Sequence, residues 1–219
     1  MELVYANLGT LSGVALFLLA TGLTLGLRPL PNFPWVRPWL ASFWVASLTL
    51  LALSLPLAWP QLHVSPLQIR TFAVLNSGFF LAAGLQALGW LRIRWKGAPV
   101  WLVLIPVATY LILFFAVGGE HDGLARLILF SLLEAVIHTA TAYWAYQGLR
   151  RISPQLRGVT ASVIAGHALF YLGRTGVAVF LPAEGDFSIS VAVAVMEGLL
   201  YNIALAYLQW LILTEGEHA

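Results

Sequence analysis

The amino-acid sequence predicts an all-α fold: a bundle of seven transmembrane helices with the N-terminus outside the cell and the C-terminus in the cytoplasm. Composition is the first observation behind this prediction. Hydrophobic residues make up 60% of the 219 positions and charged residues only 9%, whereas soluble domains carry about 25% charged residues. The second observation is a series of long apolar runs between short polar breaks. We therefore expect one integral-membrane domain over residues 1–219, with no room for a soluble catalytic domain.

Each break between two apolar runs contains residues that end a helix or are costly in lipid. Prolines interrupt the chain after the first, second and third runs, and glycines with acidic residues follow the fourth. Arginines with a proline follow the fifth run, and a proline with two acidic residues follows the sixth. A helix of about 20 residues crosses a bilayer. The predicted spans, in chain order, are 6–27, 39–56, 69–91, 100–117, 126–149, 159–181 and 189–213.

The positions of lysine and arginine predict the orientation, because short loops rich in these residues stay in the cytoplasm. The loops after spans one, three and five carry eight of them: Arg28, Arg37, Arg92, Arg94, Lys96, Arg150, Arg151 and Arg157. The opposite side carries only Arg70 and Arg126, at span edges. This asymmetry places the N-terminus outside and predicts a multi-pass protein of the cell inner membrane, embedded in the lipid bilayer.

Span one carries two pairs of glycines at a spacing that lets helices approach closely. The pairs are Gly9 with Gly13 and Gly22 with Gly26. Such pairs serve either packing within the bundle or a contact between two copies of the chain, so a homodimer is one of the predicted partners.

Five ionisable residues lie inside predicted spans, where each costs at least about 2.5–3.5 kcal/mol unless it has a partner or faces a cavity. They are Glu134, His138, His167, Arg174 and Glu197. A rise of about 1.5 Å per residue places Glu134, Arg174 and Glu197 at one level in the outer half of the membrane. The neutral polar residues that accompany them are Asn76, Gln86, Tyr171, Tyr201 and Asn202. Of these, Asn76, Tyr171 and Tyr201 belong to the predicted ligand site.

This polar level has two interpretations. In the first, Arg174 pairs with Glu134 and Glu197 and locks spans five, six and seven together without a ligand. In the second, the charged and neutral polar residues line a pocket that opens to the outside and binds a small molecule. The three charges sum to −1, which leaves one carboxylate for a proton or a cationic group.

The two histidines inside the bundle suggest a sharper hypothesis. By the same count, His138 and His167 lie within one helical turn of a common depth on sequential antiparallel helices. Two axial imidazoles at matching depth are what haem b requires. The alternatives are neutral histidines hydrogen-bonded within the bundle, for example His138 to Glu134, another metal, or a proton relay. His63 and His121 fall in exterior loops.

Several chemistries lack the residues that they need. The chain has no cysteine, which excludes disulfides and thiolate metal sites. Its lysine, Lys96, is in a loop, so no span offers a lysine for a retinal Schiff base. Zinc-protease, nucleophile-elbow and phosphate-loop motifs are also missing. We expect neither an enzyme nor a nucleic-acid-binding protein.

Four segments share a pattern with one known family. They are the run that starts at Trp44, residues 75–78 with the glycine-containing run that follows them up to Arg92, the Gly-Arg-Thr-Gly sequence around Arg174, and residues 196–215. In these segments the chain resembles the seven-span N-terminal sensor regions of bacterial membrane-bound diguanylate cyclases, which precede a cytoplasmic GGDEF domain. The resemblance implies sensing, with the signal passing through the last helix to a GGDEF-like output domain in cis or in trans.

The resemblance supports Asn76, Arg174 and Glu197 as polar positions of the bundle and assigns them no ligand. A cyclase would continue beyond Glu215 into a linker and a catalytic domain. We therefore expect this chain to be either the sensor region of a longer protein or a free-standing relative.

Taken together, these features predict a sensor that binds a small ligand or cofactor inside the bundle. The first alternative is a haem b protein for electron transfer or for redox or gas sensing, with His138 and His167 as axial ligands. The second is a structural bundle or a transporter of a small substrate.

Overall fold

The computed structural model describes residues 2–27, 33–57, 66–117, 123–180 and 187–216. Over these residues the chain forms seven α-helices and no strand, as the sequence predicts. In chain order they are α1 Glu2–Gly26, α2 Val36–Leu57, α3 Pro66–Arg94, α4 Leu104–Ala116, α5 Gly123–Ile152, α6 Arg157–Phe180 and α7 Phe187–Gly216. A 3-10 turn over Val100–Val103 leads directly into α4.

Six of these helices, all except α4, are long and apolar enough to cross a membrane. The apolar segment that contains α4, Val100–Ala116, is shorter. Several helices run a few residues beyond the predicted spans, as α5 does at both ends. The arginines and glutamines that mark the edge of an apolar run are themselves good helix formers, so the helix continues past it. The lengths and composition fit a helical membrane bundle.

The six long helices form a closed ring in the order α1, α2, α3, α5, α6 and α7, and α7 returns to pack on α1. The short helix α4 packs against α3 and α5. Side-chain contacts show the direction of neighbouring helices. Between α5 and α6, Phe130 contacts Tyr171 whereas Tyr146 contacts Arg157, so these two helices are antiparallel.

The bundle has two ends, which we call the Gly123 end, where α5 begins, and the Arg94 end, where α3 finishes. The largest buried apolar cluster lies toward the Arg94 end. Its centre is the pair Trp39 and Trp90, both fully buried, with ring centroids 4.4 Å apart. Aliphatic residues of α5, α6 and α7 pack around them: Leu149, Ile164, Leu205 and Ile212. This packing fills the interior of the bundle at the Arg94 end.

Arg92 joins two loops at the Arg94 end. Its Nε donates to the carbonyl oxygen of Ala98 over 3.1 Å, and its Nη1 donates to that of Pro34 over 3.4 Å. The last turns of α5 lie at the same end, because Gly148 packs against the C-terminal part of α3. Loops that the sequence predicts to share one side of a membrane therefore share one end of the bundle.

The glycines of α1 are used mainly for packing within the bundle. Gly9 and Gly13 face α2, where the Ser47 hydroxyl donates to the Gly13 carbonyl over 2.9 Å. Gly26 faces α7, whereas a Cβ added at Gly22 would meet nothing within 4 Å. Close helix approach is thus confirmed inside the chain, and the homodimer stays a prediction.

Candidate functional site

A cavity of about 690 Å³ lies inside the ring, and all seven helices contribute to its wall. It extends from Gly123, at the Gly123 end, to the level of His138 in the middle of the bundle. The fifteen residues of α5 between these positions correspond to about 22 Å along the helix axis. Small-molecule sites have volumes of about 300–1,000 Å³, so the cavity has the size of a ligand site.

Small side chains explain why the ring is hollow here and filled at the Arg94 end. A ring of six helices leaves a central space that only large side chains can fill. At the Arg94 end that space holds tryptophans and leucines. Around the cavity, the helices place small residues toward the centre instead: Ala46, Ala73, Ala82, Ala83, Ala194 and Gly198.

The cavity wall has an apolar side and a polar side. The apolar side comes mainly from α1, α2 and α3 and includes Leu16, Leu50, Leu53, Phe72 and Phe79. The polar side comes from α5, α6 and α7 and consists of Arg126, Glu134, His138, His167, Tyr171, Arg174, Tyr201 and Asn202. Asn76 and Gln86 of α3 add two amides. An occupant would therefore meet hydrocarbon on one side and hydrogen-bonding groups on the other.

Helical spacing produces the polar side. On α5, Arg126, Glu134 and His138 are separated by eight and four residues, which puts them on one face. On α6, His167 and Tyr171 are four residues apart and share a face in the same way. The two faces meet because α5 and α6 pack along their length.

Each of the two glutamates contacts a histidine. The Nδ1 atom of His138 donates to the backbone carbonyl oxygen of Glu134 over 2.9 Å and lies 3.2 Å from the Oε2 atom of the same residue. The Nδ1 atom of His167 donates to Oε1 of Glu197 over 2.7 Å. The carbonyl oxygen of Glu134 only accepts hydrogen bonds, and so does the ionised carboxylate of Glu197. With these partners the proton of each neutral ring is on Nδ1 and the Nε2 atom is an acceptor.

The two histidine rings contact each other directly, edge to face, with centroids 4.4 Å apart. The phenol of Tyr201 stacks on His167, with ring centroids 3.8 Å apart and planes within 5°. Two axial imidazoles of a haem lie on opposite faces of the porphyrin and are separated by it. These rings leave no space for a porphyrin between them, so the arrangement does not fit the haem b hypothesis.

Three buried polar atoms in the cavity wall have no hydrogen-bond partner within the described protein. They are Oε1 of Glu134, the hydroxyl of Tyr201 and Nε2 of Gln86. Their residues are 3%, 7% and 4% exposed, so bulk solvent does not satisfy them. A buried polar atom without a partner costs about 1–3 kcal/mol, and a ligand in the cavity would supply the missing partners.

The structure brings together the residues that the sequence singled out. Seven of the eight line the cavity: Asn76, Glu134, His138, His167, Tyr171, Arg174 and Tyr201. The eighth, Glu197, contacts the cavity-lining His167. The predicted hydrogen bond between His138 and Glu134 is present. A lock made only of Arg174 and the two glutamates does not describe the site, because each glutamate has a histidine partner.

The sequence identified Gln86 as a polar residue inside a span but did not assign it to the site, and it assigned neither Arg126 nor Gln209 to this region. Arg126 lines the cavity although its position suggested only a span edge. Gln86 lines the cavity floor and accepts a 2.9 Å hydrogen bond on its Oε1 from Nε2 of Gln209. The available signal was an amide in the middle of each apolar run, but one amide per run does not reveal its partner.

Comparison of the chain with known proteins gives no family assignment: no family model, curated protein or solved structure matches it. The resemblance to diguanylate cyclase sensor regions therefore stays a prediction. Within the described residues, no group of three or more His, Asp or Glu side chains is placed to hold a metal ion. The cavity and its polar side carry the functional argument.

Proposed function

We propose that the chain is a ligand-binding sensor domain of a multi-pass inner-membrane protein. A small molecule occupies the central cavity, and α7 relays its presence to a cytoplasmic output. One observation carries the proposal: a 690 Å³ cavity whose wall holds buried polar atoms that lack partners. The chain itself has no assigned catalytic role in this proposal.

The orientation supports a site that is reached from outside the cell. Basic residues gather at the Arg94 end, where Arg94 and Lys96 are exposed, and such loops favour the cytoplasm. The Gly123 end, to which the cavity extends, then faces outward. The cavity wall stops at the level of Gln86 and His138, beyond which the core is filled. This arrangement favours a binding site over an open channel.

The role of α7 rests on its contacts with the cavity. It supplies Tyr201 and Asn202 to the wall and the carboxylate that accepts from His167. Farther along, Gln209 donates to Gln86 on the cavity floor. A ligand that changes these contacts changes the position of α7 relative to α3 and α6. The resemblance to cyclase sensors supports a GGDEF-like output domain, in cis or in trans, as the receiver.

Filling the cavity tests the proposal. Gly198 lines the cavity, and a Cβ there would meet nothing within 4 Å, so the side chain of Gly198→Leu can begin in open space and take up cavity volume. We expect native mass spectrometry of the protein, purified in lipid nanodiscs, to detect a small-molecule adduct in the wild type. The adduct should fall at least tenfold in Gly198→Leu.

Gly166→Leu is the matched control. Gly166 is exposed on α6, lies outside the cavity wall and also has open space around its Cβ position. The control should retain the adduct of the wild type. Equal adducts in all three proteins, or none in the wild type, would speak against a ligand in this cavity.

A further inference from the structure

The charged residues of the cavity are ordered along its length. Arg126 is eight residues before Glu134 on α5, so it lies about 12 Å nearer the Gly123 end. The contact between Phe130 and Tyr171 sets the register of α5 against α6. The contact between His138 and His167 sets it a second time. By these two contacts Arg174, one turn beyond Tyr171, is about 5–10 Å nearer the Gly123 end than Glu134. Along the cavity wall, the two guanidinium groups therefore lie nearer the Gly123 end and the carboxyl group of Glu134 lies deeper.

The deep negative group is incompletely partnered. Glu134 is 3% exposed, and its Oε1 atom has no hydrogen-bond partner in the part of the chain that the structure describes, although Oε2 lies near His138. A buried carboxylate without a cationic or donor partner is costly. A cationic nitrogen in the cavity would supply the missing partner.

Aromatic rings surround the same depth. Phe130, Tyr171 and Tyr201 all line the cavity, and Tyr201 contacts the rings of both histidines. Ring faces attract a cationic nitrogen. Carboxylate and rings together make the deep part of the cavity suitable for an ammonium group.

The entrance half suits an anionic group. Arg126 and Arg174 both line the cavity, and guanidinium groups bind carboxylate and phosphate through paired N–H donors. A ligand that carries its own carboxylate or phosphate can accept hydrogen bonds from these two side chains.

We infer that the cavity binds a zwitterionic amphiphile. Its ammonium group contacts Glu134, its carboxylate or phosphate contacts Arg126 and Arg174, and its apolar part lies against α1, α2 and α3. This inference rests on the proposed function and names the class of ligand. The same chemistry occurs in the headgroup of a zwitterionic phospholipid and in a free amphiphile such as an alkyl betaine.

Four probes with one octyl chain and different heads test the inference. They are N-octyl-N,N-dimethylglycine (zwitterion), octyltrimethylammonium (cation), octanoate (anion) and octanol (neutral). Titration calorimetry measures binding to the protein in phosphatidylglycerol nanodiscs, with the signal of empty nanodiscs subtracted. We expect the zwitterion to bind at least tenfold more tightly than each of the other three.

Two conservative substitutions locate the charges. Glu134→Gln should lower the ratio of zwitterion affinity to octanoate affinity about tenfold. Arg174→Gln should lower the ratio of zwitterion affinity to octyltrimethylammonium affinity by about the same factor. Tyr201→Phe removes one hydroxyl and should weaken zwitterion binding while keeping the fold. The comparison of the four probes on the wild-type protein does not depend on any variant.

The outcomes separate the two proposals. If octanol or a singly charged probe binds as tightly as the zwitterion, the inference is overturned while the cavity remains a binding site. If no probe binds the wild type more tightly than Gly198→Leu, the proposed function fails with it. Adding phosphatidylethanolamine to the nanodiscs identifies the source: it competes with the zwitterionic probe if a lipid headgroup is the natural occupant, and it has no effect if a free amphiphile is.

Discussion

At the scale of single residues, the hydrogen-bond partners of the two histidines determine which ring nitrogen is a donor and how each ring is oriented. Both Nδ1 atoms point at oxygen acceptors, one on Glu134 and one on Glu197. This contact orients each imidazole and leaves Nε2 as an acceptor. The stacked Tyr201 further restricts the ring of His167. The polar cluster is therefore an ordered set of hydrogen-bonding groups and not two independent histidines.

The 2.7 Å hydrogen bond between His167 and Glu197 should contribute measurably to stability. Glu197→Ala leaves the buried Nδ1–H of His167 without an acceptor, which costs about 1–3 kcal/mol. Glu197→Gln keeps an acceptor oxygen at the same position and should cost less. Unfolding of both variants in detergent micelles, followed by circular dichroism, checks the difference. Equal losses would show that the charge, and not the hydrogen bond, holds this contact.

At the scale of helices, close approach depends on a few small residues. Gly89 of α3 faces the indole ring of Trp39 on α2, and the backbone carbonyl of Trp35 is also near. Trp39 is 1% exposed and packs on Trp90, so its ring has little space in which to move. The distance between α2 and α3 is set at this point by the absence of a side chain.

Gly89→Ala should destabilise the bundle, because a Cβ at this position overlaps the Trp39 ring. Overpacking of this kind costs about 1–3 kcal/mol. Gly22→Ala is the control, since its Cβ meets nothing within 4 Å and alanine favours the helix. Thermal unfolding should show a lower midpoint for Gly89→Ala and an unchanged or higher one for Gly22→Ala. A tolerated Gly89→Ala would mean that α2 and α3 can separate without loss.

At the scale of the whole molecule, the ring of six helices has one filled end and one hollow end. The filled end carries most of the exposed basic residues among those described, and the hollow end contains the candidate site. The orientation of the chain in a membrane therefore decides from which side a ligand reaches the site. In the proposed orientation, the ligand enters from outside the cell.

Cysteine labelling measures this orientation directly, because the natural chain has no cysteine. Lys96→Cys, in the turn after α3, should react with a membrane-impermeant maleimide only after the cells are lysed. His121→Cys should react in intact cells with a permeabilised outer membrane. His121 belongs to a loop that the sequence predicts outside, and it falls outside the described residues. The reverse labelling pattern would invert the proposed topology and place the cavity on the cytoplasmic side.

The sequence by itself was sufficient for the helical class and the number of helices, and it indicated which polar residues share a region. These properties depend on local features: apolar length, breakers, and a rise per residue that is the same in every α-helix. Depth counting predicted Glu134, Arg174 and Glu197 at one level. The structure brings them into one region, but the register of α5 against α6 puts Arg174 nearer the Gly123 end than Glu134.

Only the tertiary structure decided which polar groups meet. Helical periodicity shows which residues share a face, but it does not show which neighbour that face meets, because the rotation of each helix depends on contacts with several others. The pairing of Glu197 with His167, and of Gln86 with Gln209 over 123 positions of sequence, arises in this way. The cavity also depends on the tertiary structure, because the central space exists only when six helices pack in a ring.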